Sequence, residues 1–141
     1  QIALERQRHQ GRYLIFLGGH VRNYFDWTGG SMGLKFLENL SADKAFMSAN
    51  ALSLAKGATT PNLEQAEIKK GMMGIAERKY LICDSSKIGK RTICSYAKAE
   101  EFHRLITDAQ IPDHAKEALE KQGIEVVCSL QDKEESPHNF I

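Results

Sequence analysis

The chain has 141 residues, 19 lysines and arginines against 18 aspartates and glutamates, a formal net charge of +1 and 42% hydrophobic residues. A chain of this length can bury a core of its own, which excludes the small proteins that need disulfides or a structural metal to fold. Its near-neutral charge argues against a nucleic-acid-binding face, because phosphate contacts need clustered lysines and arginines. The longest apolar run, from Tyr13 to Leu17, is far shorter than the roughly 18 residues of a membrane-spanning helix.

The first residue and the cysteines indicate the context in which the chain works. Because it begins at Gln1 without an initiator Met or an apolar signal segment, we expect a fragment of a longer protein. Its three cysteines are odd in number and form no C-x-x-C pair, which indicates reduced thiols and a cytoplasmic protein. The five histidines have neither H-x-H nor H-x-x-x-H spacing, so we predict no metal site and no cofactor.

Short apolar runs alternate with helix-length amphipathic segments along most of the chain. This alternation predicts an α/β fold in which a mostly parallel sheet is flanked by helices. The predicted strands are Tyr13 to Leu17, Ala45 to Ser48, Tyr80 to Cys83, Arg104 to Thr107 and Ile124 to Val127. The polar, unpatterned residues 131–141 are predicted to form a frayed tail.

Three helices are predicted between these runs. The second runs from about Leu63 to Arg78 with Asn62 as its cap, and the last is bracketed by Pro112-Asp113 and Gly123. The residues predicted to face the core are Met32, Phe36, Leu37 and Leu40 in the first helix and Leu63, Ala66, Met73 and Ala76 in the second.

Polar residues follow the predicted strands at the edge where ligands bind to parallel sheets. They are Gly18 to Arg22, Ser48 and Asn50, Asp84 to Gly89, and Asp108. Carboxylates, cations, hydroxyls and glycine amides together suit an anionic polyol such as a sugar phosphate. Asp43 precedes its strand, at the opposite edge of the sheet, and is predicted to be structural.

Each of these features also has a simpler interpretation. The glycine pair is most often a tight turn, Asp108 can cap a loop, and Asp84 with Lys87 can form a surface ion pair. Thr59 to Asn62 can bind an anion at the start of a helix or merely cap that helix. Glu67 and Lys69 on the same helix can be ordinary solvated charges.

Six collinear segments resemble the effector domain of DeoR-type bacterial transcriptional regulators from about Tyr13 to Val127. They are Leu17 to Arg22, Ser41 to Phe46, Gly57 to Asn62, Gln65 to Lys69, Asp84 to Gly89 and Leu105 to Asp108. The resemblance implies a sensor fold like that of ribose-5-phosphate isomerase and other sugar isomerases, with catalysis lost. It implies a cytoplasmic repressor of carbohydrate metabolism in which a phosphorylated sugar changes the affinity for operator DNA.

The resemblance also implies how the chain is divided. Residues 1–130 would be the sensor domain without its first strand-helix part, including the phosphate loop of the family. The winged helix-turn-helix that binds operator DNA would lie outside this chain. We expect the exposed sheet left by the missing part to make the fragment self-associate as a homo-oligomer.

The predicted effector-binding residues combine the family positions with the strand-end argument. They are Gly19, Arg22, Asn50, Thr60, Glu67, Lys69, Asp84 and Lys87. Arg22, Lys69 and Lys87 would donate to phosphate and hydroxyls, and Glu67 and Asp84 would accept from hydroxyls. Ala51 stands where the family usually has glycine, which marks a difference in backbone or effector next to Asn50.

Two other functions stay open at this point. The first is a sugar-phosphate isomerase or deaminase with Glu67 or Asp84 as general base, although fold alone does not carry function and glycine-rich catalytic loops are missing around these acids. The second is a phospho-acceptor receiver domain, which lacks the adjacent acid pair that would hold Mg²⁺ after the first strand.

Overall fold

A computed structural model of the chain describes residues 13–22 and 27–129. Its strands are β1 (His20–Arg22), β2 (Trp27–Gly29), β3 (Ala42–Ser48), β4 (Ala51–Ser53), β5 (Gly57–Thr60), β6 (Ala76–Ile82), β7 (Cys94–Ala97), β8 (Arg104–Thr107) and β9 (Glu125–Cys128). Its helices are α1 (Ser31–Leu37), α2 (Leu63–Ile75) and α3 (Asp113–Glu120), with 3-10 turns at Ser85–Lys87 and Ala99–Glu101. The predicted tail, 131–141, lies outside the described residues.

The main sheet has four parallel strands in the order β3-β6-β8-β9, which confirms the predicted α/β class. Spatial order equals chain order, so every connection steps in the same direction. Parallel crossovers are almost always right-handed, and successive right-handed crossovers in one direction fall on the same face of a sheet. The topology thus predicts one covered face and one open face.

Burial along the strands agrees with this prediction. The side chains of Met47, Leu81, Leu105 and Val126 point to one face and are buried. They form a single core with residues of α2, α3 and β7, among them Ala66, Met73, Tyr96, Ala97 and Leu119. This face, packed against the connecting elements, holds the fold together.

The opposite face carries large side chains that remain accessible to solvent. Phe46, in the middle of β3, is 59% exposed, and Ile82, the last residue of β6, is 46% exposed, although β3 and β6 are paired with each other. The ring of Phe46 stacks on that of Tyr80 with centroids 5.0 Å apart, and Arg104 lies 6.0 Å from the same Tyr80 ring. We call this surface the open face.

The loops after β3 and β6 form a second, antiparallel sheet that the sequence analysis missed. Its order is β4-β5-β7, and all four residues of β5 are buried. A backbone hydrogen bond from Gly89 to the Leu52 carbonyl, 2.8 Å long, attaches the loop after β6 to this sheet. The sheet therefore sits close to the carboxyl ends of β3 and β6.

The predicted Asn62 cap is confirmed, and α3 lies between Pro112 and Gly123 as predicted but has no side-chain cap hydrogen bond at its start. The predicted core-facing residues are only partly right. The Asn62 side chain accepts from the Gln65 backbone N–H over 3.0 Å at the start of α2. The helix ends at Ile75 because Ala76 directly enters β6. Leu37 and Met73 are buried as predicted. The residues predicted to be buried but found exposed are Met32 at 78%, Phe36 at 48% and Leu63 at 63%.

The first predicted strand is wrong. Tyr13 to Leu17 forms no strand in the described structure, and Tyr13 and Phe16 are 101% and 70% exposed. A strand needs a neighbour to pair its backbone groups, and apolar composition alone does not supply one. The next residues instead form the antiparallel hairpin β1-β2.

Candidate functional site at the carboxyl edge of the parallel sheet

The last residue of β3 is the meeting point of two side chains from different elements. Lys69 of α2 donates from Nζ to the Ser48 carbonyl over 2.6 Å. The Tyr96 hydroxyl of β7 donates to the same carbonyl over 2.9 Å. Since a carbonyl oxygen has two lone pairs, it can accept both bonds. This arrangement fixes the ammonium of Lys69 at the carboxyl edge of the sheet.

Lys69 is a partly buried cation whose described contacts are with neutral groups. Besides the carbonyl of Ser48, its Nζ lies 5.0 Å from the centroid of the Tyr96 ring, within the range of a cation–π interaction. Burial lowers the pKa of the Lys69 amine, because removal from water disfavours the charged form. Burial also raises the pKa of Tyr96, so its hydroxyl stays a neutral donor. An anion beside Lys69 would stabilise the charged amine.

The loop after β6 folds back on its own first residue. Asp84 accepts from the backbone N–H of Ser86 over 3.1 Å and also from the Ser86 hydroxyl. Its other oxygen lies 4.0 Å from Nζ of Lys87. The hydroxyl bond from Ser86 is the main reason that the pKa of Asp84 is lowered. The surface ion pair considered from the sequence is therefore present, within a turn that also orients Lys87.

Asp108 connects the carboxyl ends of β6 and β8. It accepts from the Ser85 N–H over 2.7 Å and from the Gln110 N–H over 2.9 Å. The bond from Ser85 is the first cause of the lowered pKa of Asp108. The loop-capping interpretation of Asp108 is confirmed.

Buried between these loops, Cys83 is held as a neutral thiol. It is 9% exposed, and burial, followed by the charges of Asp84 and Asp108, raises its pKa to about 11. Its raised pKa leaves little of the reactive thiolate form at neutral pH. Cys83, Cys94 and Cys128 are all free thiols in the structure.

The predicted site residues fall into groups. Asn50, Lys69, Asp84 and Lys87 lie at or reach the carboxyl ends of β3 and β6. Glu67 is exposed, and being two residues before Lys69 on α2 it lies on a different side of the helix. Thr60 is fully buried, and its hydroxyl donates to the Gln65 side chain.

Gly19 and Arg22 belong to a separate element. Gly19 precedes β1 and Arg22 is its last residue. Within the part of the chain that the structure describes, β1 pairs with β2 alone. The side chain of Arg22 lies outside the described residues, so its predicted role as a donor stays a prediction.

The described residues contain neither a metal-binding cluster nor a membrane-spanning helix. In residues 13–22 and 27–129 no group of three or more His, Cys, Asp or Glu side chains could hold a metal ion. None of the helices that the structure describes is long and apolar enough to cross a membrane.

The fold and this edge define the class of protein: an α/β domain whose parallel sheet has a polar carboxyl edge. The chain matches the family model of the DeoR C-terminal sensor domain over residues 1–109 and belongs to that family. This confirms the resemblance inferred from the six segments. The matched family and relatives are transcriptional regulators, not isomerases or deaminases.

Three curated relatives show how far the similarity reaches. The chain is 34% identical over 110 residues to the HTH-type transcriptional regulator GlpR of Haloferax volcanii, covering 78% of this chain and 43% of that protein. It is 35% identical over 103 residues to IolR of Bacillus subtilis, covering 71% and 40%. It is 34% identical over 129 residues to the lactose phosphotransferase system repressor of Staphylococcus aureus, covering 90% and 49%. The chain therefore spans less than half the length of each relative.

Tyr96 is the residue of this edge that sequence reasoning missed. It belongs to β7, a four-residue strand too short for a clear alternation of apolar and polar residues. The apolar stretch Ile93-Cys94 with Tyr96-Ala97 just after the Gly89-Lys90 turn was the available signal, since aromatic and β-branched residues favour strands.

Proposed function

We propose that this chain is the effector-sensing part of a DeoR-type repressor of carbohydrate metabolism and that it binds a phosphorylated sugar at the carboxyl edge of the parallel sheet. The observation that carries the proposal is the Lys69 ammonium, partly buried at this edge and held by the Ser48 carbonyl and the Tyr96 ring. Because these two contacts are with neutral groups, an anionic phosphate would stabilise the charged amine. The names of the relatives, one of them a lactose phosphotransferase system repressor, support a sugar-linked effector.

Each predicted residue has a role in this proposal that matches its chemistry. Lys69 and Lys87 would bind phosphate, Asp84 would accept from a sugar hydroxyl, and Asn50 can both donate and accept. Glu67, Thr60, Gly19 and Arg22 are proposed from the family resemblance. Thr60 would act through Gln65 and the start of α2, because its own side chain is buried.

The proposed output is a change in DNA affinity through a linked helix-turn-helix domain. A sugar phosphate that binds one conformation more tightly shifts the population toward it, and the same coupling free energy appears in the affinity for operator DNA. The partners proposed are thus the effector, operator DNA outside this chain, and further copies of the protein in a homo-oligomer. The free thiols suit a reducing compartment such as the cytoplasm.

A calorimetric titration of the chain with a panel of pentose and hexose monophosphates tests this function. Lys69→Ala should weaken binding of the tightest panel member about tenfold to a hundredfold, since a charge-assisted hydrogen bond contributes about 1.5–3 kcal/mol. Lys70→Ala is the matched control, because Lys70 is the next residue of α2 and is exposed. If no panel member binds more tightly than inorganic phosphate, or if both variants bind like the unmodified chain, the proposal is wrong.

A further inference from the structure

We infer that Tyr96 is a positioning residue for anion binding at this edge, acting on the ligand through Lys69. The inference rests on the proposed function and extends it to a residue of the second sheet. Lys69 comes from α2, Ser48 from β3 and Tyr96 from β7, so three elements converge on one carbonyl oxygen.

The ring of Tyr96 is fixed in place by its surroundings. The residue is 4% exposed, its ring meets that of Phe102 edge to face at a centroid distance of 6.5 Å, and its hydroxyl bonds to Ser48. Because both the ring and the hydroxyl are held by neighbours, the Tyr96 side chain has little rotamer freedom left to lose when a ligand binds. It is therefore a rigid support for whatever lies on its face.

What lies on that face is the flexible end of Lys69. A lysine side chain has four rotatable methylene bonds, and holding its ammonium in one place costs conformational entropy. The ring face, at 5.0 Å, and the carbonyl, at 2.6 Å, hold the ammonium before any ligand arrives. Tyr96 thereby lowers the entropic cost of binding an anion without touching the anion itself.

The hydroxyl and the ring of Tyr96 have separable effects. The hydroxyl shares the Ser48 carbonyl with Lys69, so it weakens the pull of that carbonyl on the ammonium and leaves charge available to an external anion. The ring supplies the cation–π support. Tyr96→Phe removes the first effect and Tyr96→Leu removes both.

A double-mutant cycle with Lys69 tests the inference. With the tightest member of the sugar-monophosphate panel as probe, Tyr96→Leu should weaken binding about five- to thirtyfold, the range of a partly desolvated cation–π contact. In the Lys69→Ala background the same change should have no effect, because residues that act through one another are not additive. Equal losses in both backgrounds would assign Tyr96 a merely structural role and overturn the inference.

The cycle separates this inference from the proposed function. If Lys69→Ala itself leaves binding unchanged, the proposed function and the inference both fail. If Lys69→Ala weakens binding but Tyr96→Leu adds its own loss, the inference alone fails. Tyr80→Leu is the matched control, because Tyr80 also lies under a cation, Arg104, but on the open face. It should leave affinity unchanged.

A second readout needs no ligand and covers a failure of Tyr96→Leu to fold. In the unliganded chain, the ε-methylene protons of Lys69 should be shifted upfield in the NMR spectrum by the ring current of Tyr96. Tyr96→Phe should keep that shift, because it keeps the ring, and should weaken anion binding less than Tyr96→Leu does. An unshifted Lys69 signal in the unmodified chain would overturn the inference.

Discussion

The carboxylate of Asp108 accepts a hydrogen bond from the backbone N–H of Ser85 over 2.7 Å, across the ends of two neighbouring parallel strands. The loop that carries Asp84 and Lys87 is thereby fixed from β8 and not only by its own turn. Asp108 is not proposed to contact the ligand, but it holds the loop that contains Asp84 and Lys87.

Asp108→Asn should loosen the loop and weaken sugar-phosphate binding without unfolding the chain. Asparagine keeps one acceptor oxygen, so the N–H of Ser85 or that of Gln110 loses its partner. The partly exposed 84–87 loop then moves relative to β3 and Lys69. The check is a calorimetric titration of this variant beside Asp43→Asn, which replaces an exposed aspartate at the opposite edge of the sheet and should bind normally.

The same variant should change how stability depends on pH. The hydrogen bond from Ser85 lowers the pKa of Asp108, so the unfolded chain takes up a proton at a higher pH than the folded chain. This contribution to stability is complete above the unfolded pKa, about 4, and is lost as the pH falls through the folded pKa. The urea midpoint of Asp108→Asn should therefore fall less than that of the unmodified chain between about pH 6 and pH 3. An equal fall in both proteins would contradict this.

Gly57→Ala should be one of the most destabilising single substitutions in the chain. A Cβ atom at Gly57 would lie 2.0 Å from the Ala97 carbonyl oxygen, and the residue has a φ of +69°. The backbone of β5 or β7 must move to relieve this contact, so we expect a loss of at least about 3 kcal/mol. Urea unfolding of the variant and of the unmodified chain measures this loss in the free energy of unfolding.

Gly89→Ala separates the clash from the backbone conformation. Gly89 has a similar φ of +79° but open space around its Cβ position. Its replacement should cost about 1–2 kcal/mol, the cost of the left-handed conformation alone. Similar losses at both glycines would show that the close approach to Ala97 is not the reason for glycine at 57.

The parallel sheet could be predicted because its signals are local. Each run such as Tyr80 to Cys83 is apolar, β-branched or aromatic and is followed by turn residues, and these properties are visible without knowing the neighbours of the strand. The Asn62 cap and the Gly123 end of the last helix are equally local. The four strands of the parallel sheet, β3, β6, β8 and β9, could be predicted from such signals.

The antiparallel sheet and the Tyr96 contact depend on distant residues instead. The strand β4 has three residues, and its pairing with β5 and the approach of Tyr96 to Ser48, 48 positions away, have no local signature. For the same reason Met32 and Leu63, apolar and correctly spaced, point to solvent. Periodicity identifies an apolar stripe, but packing partners decide whether the stripe is covered.

Cys83 should be the slowest of the three thiols to alkylate at neutral pH. Its pKa of about 11 leaves only about one thousandth of it as the reactive thiolate at pH 8, and it is buried. Iodoacetamide labelling followed by peptide mass spectrometry should show Cys94 and Cys128, which are both half-buried, reacting before Cys83. The Cys83 rate should keep rising with pH toward about 11. If Cys83 were labelled as fast as Cys94 at pH 8, its pKa would not be raised.

The open face should make the chain self-associate. Parallel sheets in folded proteins are covered on both faces, whereas Phe46 and Ile82 are 59% and 46% exposed here. Burying a large apolar side chain contributes about 1.5–3 kcal/mol, so removing both side chains should weaken association at least about tenfold. Light scattering over a concentration series of Phe46→Ser/Ile82→Ser measures this.

A matched substitution shows whether the open face is responsible. Leu63 is 63% exposed but lies on α2, away from that face, so Leu63→Ser removes a comparable apolar side chain from elsewhere. It should leave the association constant unchanged, because association is expected to bury the sheet and not the helix. If the unmodified chain stays monomeric at high concentration, or if Leu63→Ser dissociates the oligomer as effectively as the double variant, the open face does not mediate self-association.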